Sequence, residues 1–363
     1  MVTQNILIIG GNGKIGRCVA RDISQQTEAK VTITGRKSSP YRDFPFLSLD
    51  LNDLATIQKT IYNYDLVVHV AGPFHHRDGR VLNCCLEAGV NYIDVSDHRS
   101  FHQQAVNYHQ LASKAGITAI LHTGVFPGIS NLMARKGVEM LDTADSIHLY
   151  YLVAGSGGAG LTVMRTTFLG LKSPFSVWIN GKWEEKSPYT DQEIVNFPHY
   201  GNAGVYWFDV AETYTLPQSF PVNTVVTKFG SLPDFYNHLT WISAHRFPSW
   251  ILQNSIALEG LSRLSLAMAK VTDFWSGIGI AICAEVKGWK DGKKQTCNLE
   301  FYHENTSIAV GIGVGSIAQL LLKQEIKQPG VWSVEQIVNS DLFDKIMTER
   351  GLKIKASIAP DSE

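Results

Sequence analysis

Residues Gly11-Asn12-Gly13-Lys14-Ile15-Gly16 fit the pattern GxGxxG. In that spacing Gly11 permits a tight turn, and the bare backbone at Gly13 lets a pyrophosphate approach. Gly16 lets the following helix pack closely on the preceding strand. The N–H groups and positive dipole end of such a helix suit phosphates, and Lys14 would neighbour them. About twenty residues after the loop, an NAD site usually carries Asp or Glu for the ribose hydroxyls. This chain has Gly35-Arg36-Lys37 instead. No carboxylate is there to repel a 2′-phosphate, and two cations are there to pair with it, Arg36 through its planar fork. The pattern points to NADP rather than NAD. The plainer alternatives are a glycine-rich turn that has lost its ligand and a solvated pair of cations.

Ligands of such folds bind outside the carboxyl ends of the strands. Asp50-Leu51 would flank the adenine. Ala71-Gly72-Pro73 would let the backbone approach the ribose or nicotinamide. Ser96-Asp97-His98 ends a further strand, and Gly124-Val125-Phe126-Pro127-Gly128 forms a rigid turn before a helix. Hydride transfer to a carbonyl or imine needs a proton donor and a partner for developing charge. His75 or His76, and Asp97 or His98, are the candidates. Against them stand a solvated loop for the histidine pair and a helix cap near Ser100 for Asp97. His122 reads as a satisfied core histidine, and Cys84-Cys85 as small core residues. A second glycine cluster, 155–160, reads as a flexible connection or lid, with another anion site as the alternative. No Tyr is followed by Lys four positions on, and GxSxG, HExxH and GxxxxGK[ST] are missing. Short-chain dehydrogenase, serine hydrolase, zincin and P-loop readings therefore lack support.

These residues need a scaffold, and the first third of the chain supplies one. Apolar runs at 5–9, 31–34, 46–51, 66–71, 91–95 and 118–122 read as strands. Helical periodicity falls between them at 14–25, 54–61, 80–88 and 100–115, with Asp53 as a cap. Six strands with intervening helices predict a doubly wound parallel sheet. Beyond 140 the pattern changes. Ile147, Leu149, Tyr151 and Val153 alternate as in a strand with one buried face. Asn180-Gly181 and Asp291-Gly292 read as hairpin turns. Further strands are expected at 205–215, 222–229, 278–288 and 294–303, and helices at 161–171, 251–271 and 306–324. Ser333 to Gln336 reads as a capping box opening a last helix.

The chain has 363 residues, 44% apolar and 18% charged, which suits two domains with a sizeable core. With 32 basic and 33 acidic residues its net charge is −1, so no global pull on nucleic acid is expected. Five cysteines without a CxxC predict neither a disulfide framework nor a zinc site, and point to a reducing, cytoplasmic setting. The N-terminal apolar run is too short for a signal peptide, and the run 308–322 is broken by three glycines and too short for a membrane span. Residues 241–275 carry Trp and Leu at helical spacings suited to a membrane surface, but few cations.

The segments GGNGKIG (10–16), VTITGRK (31–37), LVVHVAGPF (66–74), EAGVNYIDVSD (87–97) and GVFPGISNLMA (124–134) resemble the saccharopine dehydrogenase-like oxidoreductases, the branch with an NADP-binding Rossmann domain. Residues 306–322 are similar to that family's helix returning to its first domain. The resemblance implies an α/β fold: a Rossmann doubly wound parallel sheet, residues 1–127 plus 306–350, interrupted by an α+β domain with a mixed or antiparallel sheet, residues 128–305. The inserted domain would bind substrate and form a homodimer. The family's activities include the reductive joining of an amine and an aldehyde, and the reverse. Amino-acid-type members commonly carry an aspartate before the Pro-Gly of the turn, where this chain has Phe126. Trp178, Trp183, Trp207, Trp241 and Trp250 suggest a hydrophobic or planar substrate, or else core and dimer interface. The expected function is an NADP-dependent oxidoreductase acting on a C–N or C=O bond of a small molecule. A non-catalytic NADP-binding sensor or scaffold is the alternative.

Overall fold

The apolar run of strand β1 (Asn5–Ile9) is buried from its second residue on, which marks it as the centre of a covered sheet. The computed structural model describes residues 3–37 and 42–361. After β1 come α1 (Lys14–Gln26), β2 (Lys30–Gly35), β3 (Phe46–Ser48), α2 (Leu54–Ile61) and β4 (Leu66–His69). Then follow α3 (Arg80–Ala88), β5 (Asn91–Asp94), α4 (Arg99–Ala105), α5 (His109–Ala115) and β6 (Thr118–Leu121). The middle of the chain holds α6 (Ile129–Glu139), β7 (Thr143–Ala154), α7 (Leu161–Gly170), β8 (Phe175–Ile179), β9 (Lys182–Lys186), β10 (Glu193–Phe197) and β11 (Gly201–Trp207). It continues with α8 (Glu212–Ser219), β12 (Thr224–Leu232), α9 (Phe235–His245), α10 (Ser249–Gln253), α11 (Ser255–Ser276), β13 (Gly279–Lys290) and β14 (Lys293–His303). The last stretch is α12 (Thr306–Leu322), β15 (Gly330–Ser333), α13 (Val334–Ile337), α14 (Ser340–Glu349) and β16 (Lys355–Pro360).

The chain divides into two compact units, Met1–Ile129 with Ser307–Gly351 and Ser130–Thr306 with Leu352–Glu363. Among the described residues the first unit holds a seven-stranded sheet, in the order β15-β6-β5-β4-β1-β2-β3. Every pairing in it is parallel. The order reverses between β1 and β4, the place where such sheets open a ligand crevice. Helix α1 buries Gly16, Val19, Ala20 and Ile23, the face its periodicity predicts. The Asp53 carboxylate caps α2 by accepting from the Thr56 N–H. The glycines that interrupt the apolar run of α12 are packing positions. A Cβ at Gly311 would lie 2.8 Å from the Cys18 backbone of α1. Arg350, just past α14, closes the unit by donating from Nε to both carboxylate oxygens of Asp22 on α1.

Three expectations change here. The strand at 46–51 stops at Ser48, because Asp50 folds a turn in which its side chain accepts from the Asn52 N–H and its carbonyl from the Asp53 N–H. The helix at 100–115 is split by a 3-10 turn at Val106–Tyr108, where a β-branched residue, Asn and Tyr are weaker helix formers. A seventh strand, β15, pairs with β6 and ends on Ser333, whose N–H donates to the Gln336 side chain. The helix opened there, α13, is four residues long.

The second unit is built on a mixed sheet in the order β10-β11-β12-β7-β13-β14-β16, with the β8–β9 hairpin attached to β12. β12 and β7 run parallel, and the other pairs are antiparallel. Asn180 and Gly181, and Asp291 and Gly292, all take positive φ, as two-residue hairpin turns require. β7 is buried on both faces, since Tyr150 and Leu152 pack with Val195 and Phe197. The strand expected over 205–215 ends at Trp207, and the chain turns into α8 with Glu212 fully buried. β16 closes the sheet against β14, an element outside the expected pattern. No helix among the described residues is long and apolar enough to cross a membrane.

Candidate functional site

All strands of the first sheet point the same way, so the loops after β1, β2, β4, β5 and β6 gather along one edge. The tight turn after β1 belongs to Gly10 rather than Gly11, since Gly10 takes φ +85°. Gly11 is needed for a different reason: a Cβ there would sit 2.6 Å from Ile33 of β2. A Cβ at Gly16 would collide with the Gly10 carbonyl, so helix and loop touch at that point as the spacing predicts. Gly13 precedes α1 with no side-chain cap, and the first turn of α1 carries no acid. An N-terminus built this way suits an anion. The loop is braced from β2. The Gly10 N–H donates to Thr34 Oγ1, and the Asn12 N–H to the Thr34 carbonyl, at 3.2 and 3.1 Å. Thr34 is buried and lies in a strand whose alternation alone gave it no role.

Arg36 and Lys37 follow β2 directly and are exposed. Asp50 is exposed in its turn, and the Leu51 carbonyl accepts from Arg80 Nη1 at 3.1 Å. Ala71 lies beside the loop after β1: a Cβ at Gly10 would come within 2.9 Å of the Ala71 Cβ. The loop Ala71-Gly72-Pro73 is held by Arg77, whose type and position carry no motif signal. Arg77 Nε donates to the Ala71 carbonyl at 2.7 Å. Burial and the nearby Arg36 guanidinium both lower the pKa of Arg77, so two cations stand together where β2 and β4 end.

His75 sits in the 3-10 turn after β4, and His98 follows β5. The structure brings these two candidates together, with rings stacked 3.7 Å apart at 28°. His76, its exposed neighbour, takes no part in the stack. His98, not Asp97, caps α4, its Nδ1 accepting from the Ser100 N–H. Burial first, then Arg99 and His76, push the His98 pKa down to about 4. Asp97 is half-buried beside it. Ser96 differs from its expected role at the cofactor. It is fully buried, and its N–H and Oγ both donate to Asp94 Oδ1, so the hydroxyl is turned into the sheet.

Beneath the strand ends runs a buried polar network. Tyr92 OH donates to Asp94 Oδ2 and lies 3.0 Å from His69 Nδ1. Asp94 Oδ1 also accepts from the His122 N–H. The His122 ring reaches the Ser96 carbonyl at 2.7 Å and His102 Nδ1 at 3.0 Å. His122 is thus a core histidine, but one with φ +65° at the strand end. After it comes the turn 124–128, in which a Cβ at Gly128 would strike the Gly124 backbone. Within the buried stretch 121–130, Phe126 alone is half-exposed. Cys84 and Cys85 are buried, and burial raises their thiols, Cys84 to about 11.

The start of the second glycine cluster is held in a fixed turn. The Ser156 N–H and Oγ donate to the Asp273 carboxylate, and the Gly155 and Gly157 N–H groups donate to Leu232 and Ala154 carbonyls. An acid therefore already occupies the N–H at Ser156. The tryptophans do not converge on one pocket. Trp207 is buried, Trp178 and Trp183 pair edge to face in the β8–β9 hairpin, and Trp241 and Trp250 are exposed on α9 and α10.

Residues 6–120 match the family model of the saccharopine dehydrogenase NADP binding domain, and residues 124–351 match that of the saccharopine dehydrogenase C-terminal domain. Carboxynorspermidine synthase of Vibrio cholerae is 26% identical over 336 residues, which cover 84% of this chain and 80% of the relative. Carboxyaminopropylagmatine dehydrogenase of Synechocystis sp. is 23% identical, covering 84% of this chain and 83% of that one. Apo saccharopine dehydrogenase (L-Glu forming) from Saccharomyces cerevisiae shares the fold with a TM-score of 0.70 at 16% identity, over 98% of this chain and 100% of that chain.

Proposed function

The chain belongs to the saccharopine dehydrogenase family, and from that premise we propose that it joins an amine to a carbonyl compound by reducing the C=N bond between them, or runs the reverse oxidation. It is an NADP-dependent oxidoreductase acting on a small molecule. When bound, NADPH supplies the hydride. Gly11, Asn12, Gly13, Lys14, Ile15 and Gly16 would hold the pyrophosphate at the start of α1, and Arg36 and Lys37 the 2′-phosphate. Asp50 and Leu51 would flank the adenine, with Ala71, Gly72, Pro73 and Phe126 lining the ribose and nicotinamide side. The observation that carries the reading is the uncapped, acid-free N-terminus of α1 beside the reversal of strand order, with Arg36 where NAD sites place an acid.

A neutral His98 is compatible with a C=N substrate. A ketone needs a proton on oxygen as hydride arrives, whereas a protonated imine already carries its charge. His98, down at about 4, is neutral at pH 7 and is a poor acid. It would orient the substrate nitrogen, with His75 stacked behind it and the Asp97 carboxylate facing the positive charge. The named relatives fit this chemistry, since carboxynorspermidine and carboxyaminopropylagmatine are named as carboxylated amines.

NADPH consumption measured with aldehydes alone, amines alone and aldehyde–amine pairs, polyamines included, tests the proposal. Turnover only with pairs is expected; turnover with a carbonyl compound alone would sink the C=N assignment. The second reading, an NADP-binding sensor, draws on the same neutral His98. Tight NADPH binding with no turnover on any pair would favour it. We further infer a cytoplasmic homodimer in which residues 1–127 and 306–350 serve the nucleotide, and residues 128–305 serve substrate and self-association. Five unpaired cysteines agree with a reducing setting. Light scattering that returns a monomer would remove the dimer.

A further inference from the structure

Arg77 lies just past the 3-10 turn that follows β4 and is half-buried. Its Nε donates to the Ala71 carbonyl at 2.7 Å, and Nη2 stands 3.5 Å from the Gly72 carbonyl, at the limit of a hydrogen bond. One edge of the guanidinium is therefore turned to its own loop. That fixes the plane and leaves the Nη1 end to point elsewhere.

Close contacts carry this position across to Arg36. Ala71 lies against Gly10, where a Cβ would meet the Ala71 Cβ at 2.9 Å. Two residues on, Asn12 lies against Gly35, where a Cβ would meet the Asn12 Cβ at 3.0 Å. Arg36 follows directly. The loops after β4, β1 and β2 thus form one continuous surface with a guanidinium on each side. Only β1 separates β4 from β2, so the two strand ends stand about 10 Å apart, a gap that two arginine side chains reach across.

The acids nearby do not neutralise this pair. Arg80 holds both oxygens of Asp78 at 2.7 to 3.0 Å. Asp50 accepts from the Asn52 N–H of its own turn. Among the described residues neither Arg36 nor Arg77 forms an ion pair. Two guanidiniums held together repel each other. A phosphate monoester between them, with about −1.5 to −2 charges near pH 7, turns that repulsion into attraction. We propose that Arg77 is a specificity-determining residue, its Nη1 end and the fork of Arg36 gripping one 2′-phosphate from the two sides of the crevice. The inference rests on the NADP reading above and adds a residue to it. The edge that holds the Ala71-Gly72-Pro73 loop also aims the other end at the phosphate.

The pyrophosphate lies within range of the same loop and is common to both nucleotides, so the test separates the two phosphates. It is calorimetric titration of the purified full chain with NADPH, NADH, 2′,5′-ADP and 5′-AMP, in the parent, Arg77→Gln and Arg77→Lys. Arg77→Gln keeps an N–H donor without the charge, and Arg77→Lys keeps the charge without the fork. Arg77→Gln is expected to weaken NADPH and 2′,5′-ADP about tenfold or more, and to leave NADH and 5′-AMP within about twofold. Unchanged NADH affinity also reports that the fold survives. Arg77→Lys should recover part of the loss, and added salt should narrow the gap between parent and Arg77→Gln for NADPH. An Arg77→Gln protein that keeps the parental NADPH-to-NADH ratio would overturn the proposal. That holds if both affinities fall together, which confines Arg77 to the loop or the pyrophosphate, and equally if neither falls. A parent that binds NADPH no better than NADH would sink the NADP reading itself, and the proposal with it, before any variant is compared.

Discussion

His75 and His98, 23 residues apart in sequence, stack ring on ring at 3.7 Å across the ends of neighbouring parallel strands. The pair fixes His98 by a face contact on one side and by its bond to the Ser100 N–H on the other. Substituting His98→Asn keeps a capping oxygen, whereas His98→Ala loses the cap, which costs about 1 kcal/mol. With the substrate nitrogen no longer oriented, turnover is expected to fall at least about tenfold in both variants, with the unfolding midpoint lowered only in His98→Ala. A His98→Asn enzyme with parental kcat and KM would remove His98 from the reacting site. Because the His98 pKa lies at about 4, the parental pH–rate profile should show no step near 6.5 attributable to it.

Arg36 is expected to set the choice of nucleotide. Charge-assisted hydrogen bonds contribute about 1.5–3 kcal/mol, so Arg36→Ala should weaken NADPH about 10- to 100-fold and leave NADH nearly untouched. Calorimetric titration with each nucleotide reads this directly. An unchanged NADPH-to-NADH ratio would take the 2′-phosphate role from Arg36.

The brace from Thr34 to the glycine loop can be cut without touching the ligand. Thr34→Val keeps the shape and strands the Gly10 N–H, which should cost about 1–3 kcal/mol in stability and raise the Kd for NADPH. Gly16→Ala forces a methyl into the Gly10 carbonyl and should abolish measurable nucleotide binding. Full binding by the Gly16→Ala protein would show that loop and helix separate more easily than their contact implies.

Acid should destabilise the fold before most carboxylates titrate. Burial holds His69 and His102 down at about 3, and His98 and His148 at about 4, while in the unfolded chain each titrates near 6.5. Between pH 6.5 and 4 the unfolded state binds protons that the folded state refuses. Stability is therefore complete above about 6.5 and lost as pH falls, on the order of 1–2 kcal/mol per histidine by pH 5. Asp22 works the other way: burial raises it to about 6 against the pull of Arg350, so the folded state gains its proton first and offsets part of the loss. Urea unfolding at pH 7 and pH 5 measures the balance, and equal stability at the two would contradict it.

The nucleotide half was legible because its signals are local. A glycine loop, alternating strand and helix periods, and the Asp53 cap each depend on residues a few positions apart, and apart from the shortened β3 and the break between α4 and α5 the structure keeps them. The spacing places the turn after β1 one residue late, because GxGxxG does not say which glycine takes positive φ. The hairpins at Asn180-Gly181 and Asp291-Gly292 were likewise visible, since two left-handed residues leave a sharp compositional mark.

What the tertiary structure decided was long-range. Thr34 and Asp94 act on backbone groups brought in by other strands, and nothing in their own neighbourhoods announces it. Short edge strands such as β15 and β16 are made by the partner they pair with rather than by their own propensity. Periodicity told that α11 had an apolar face, but not that this face looks outward, because a period fixes which residues share a side and only packing fixes which side is in.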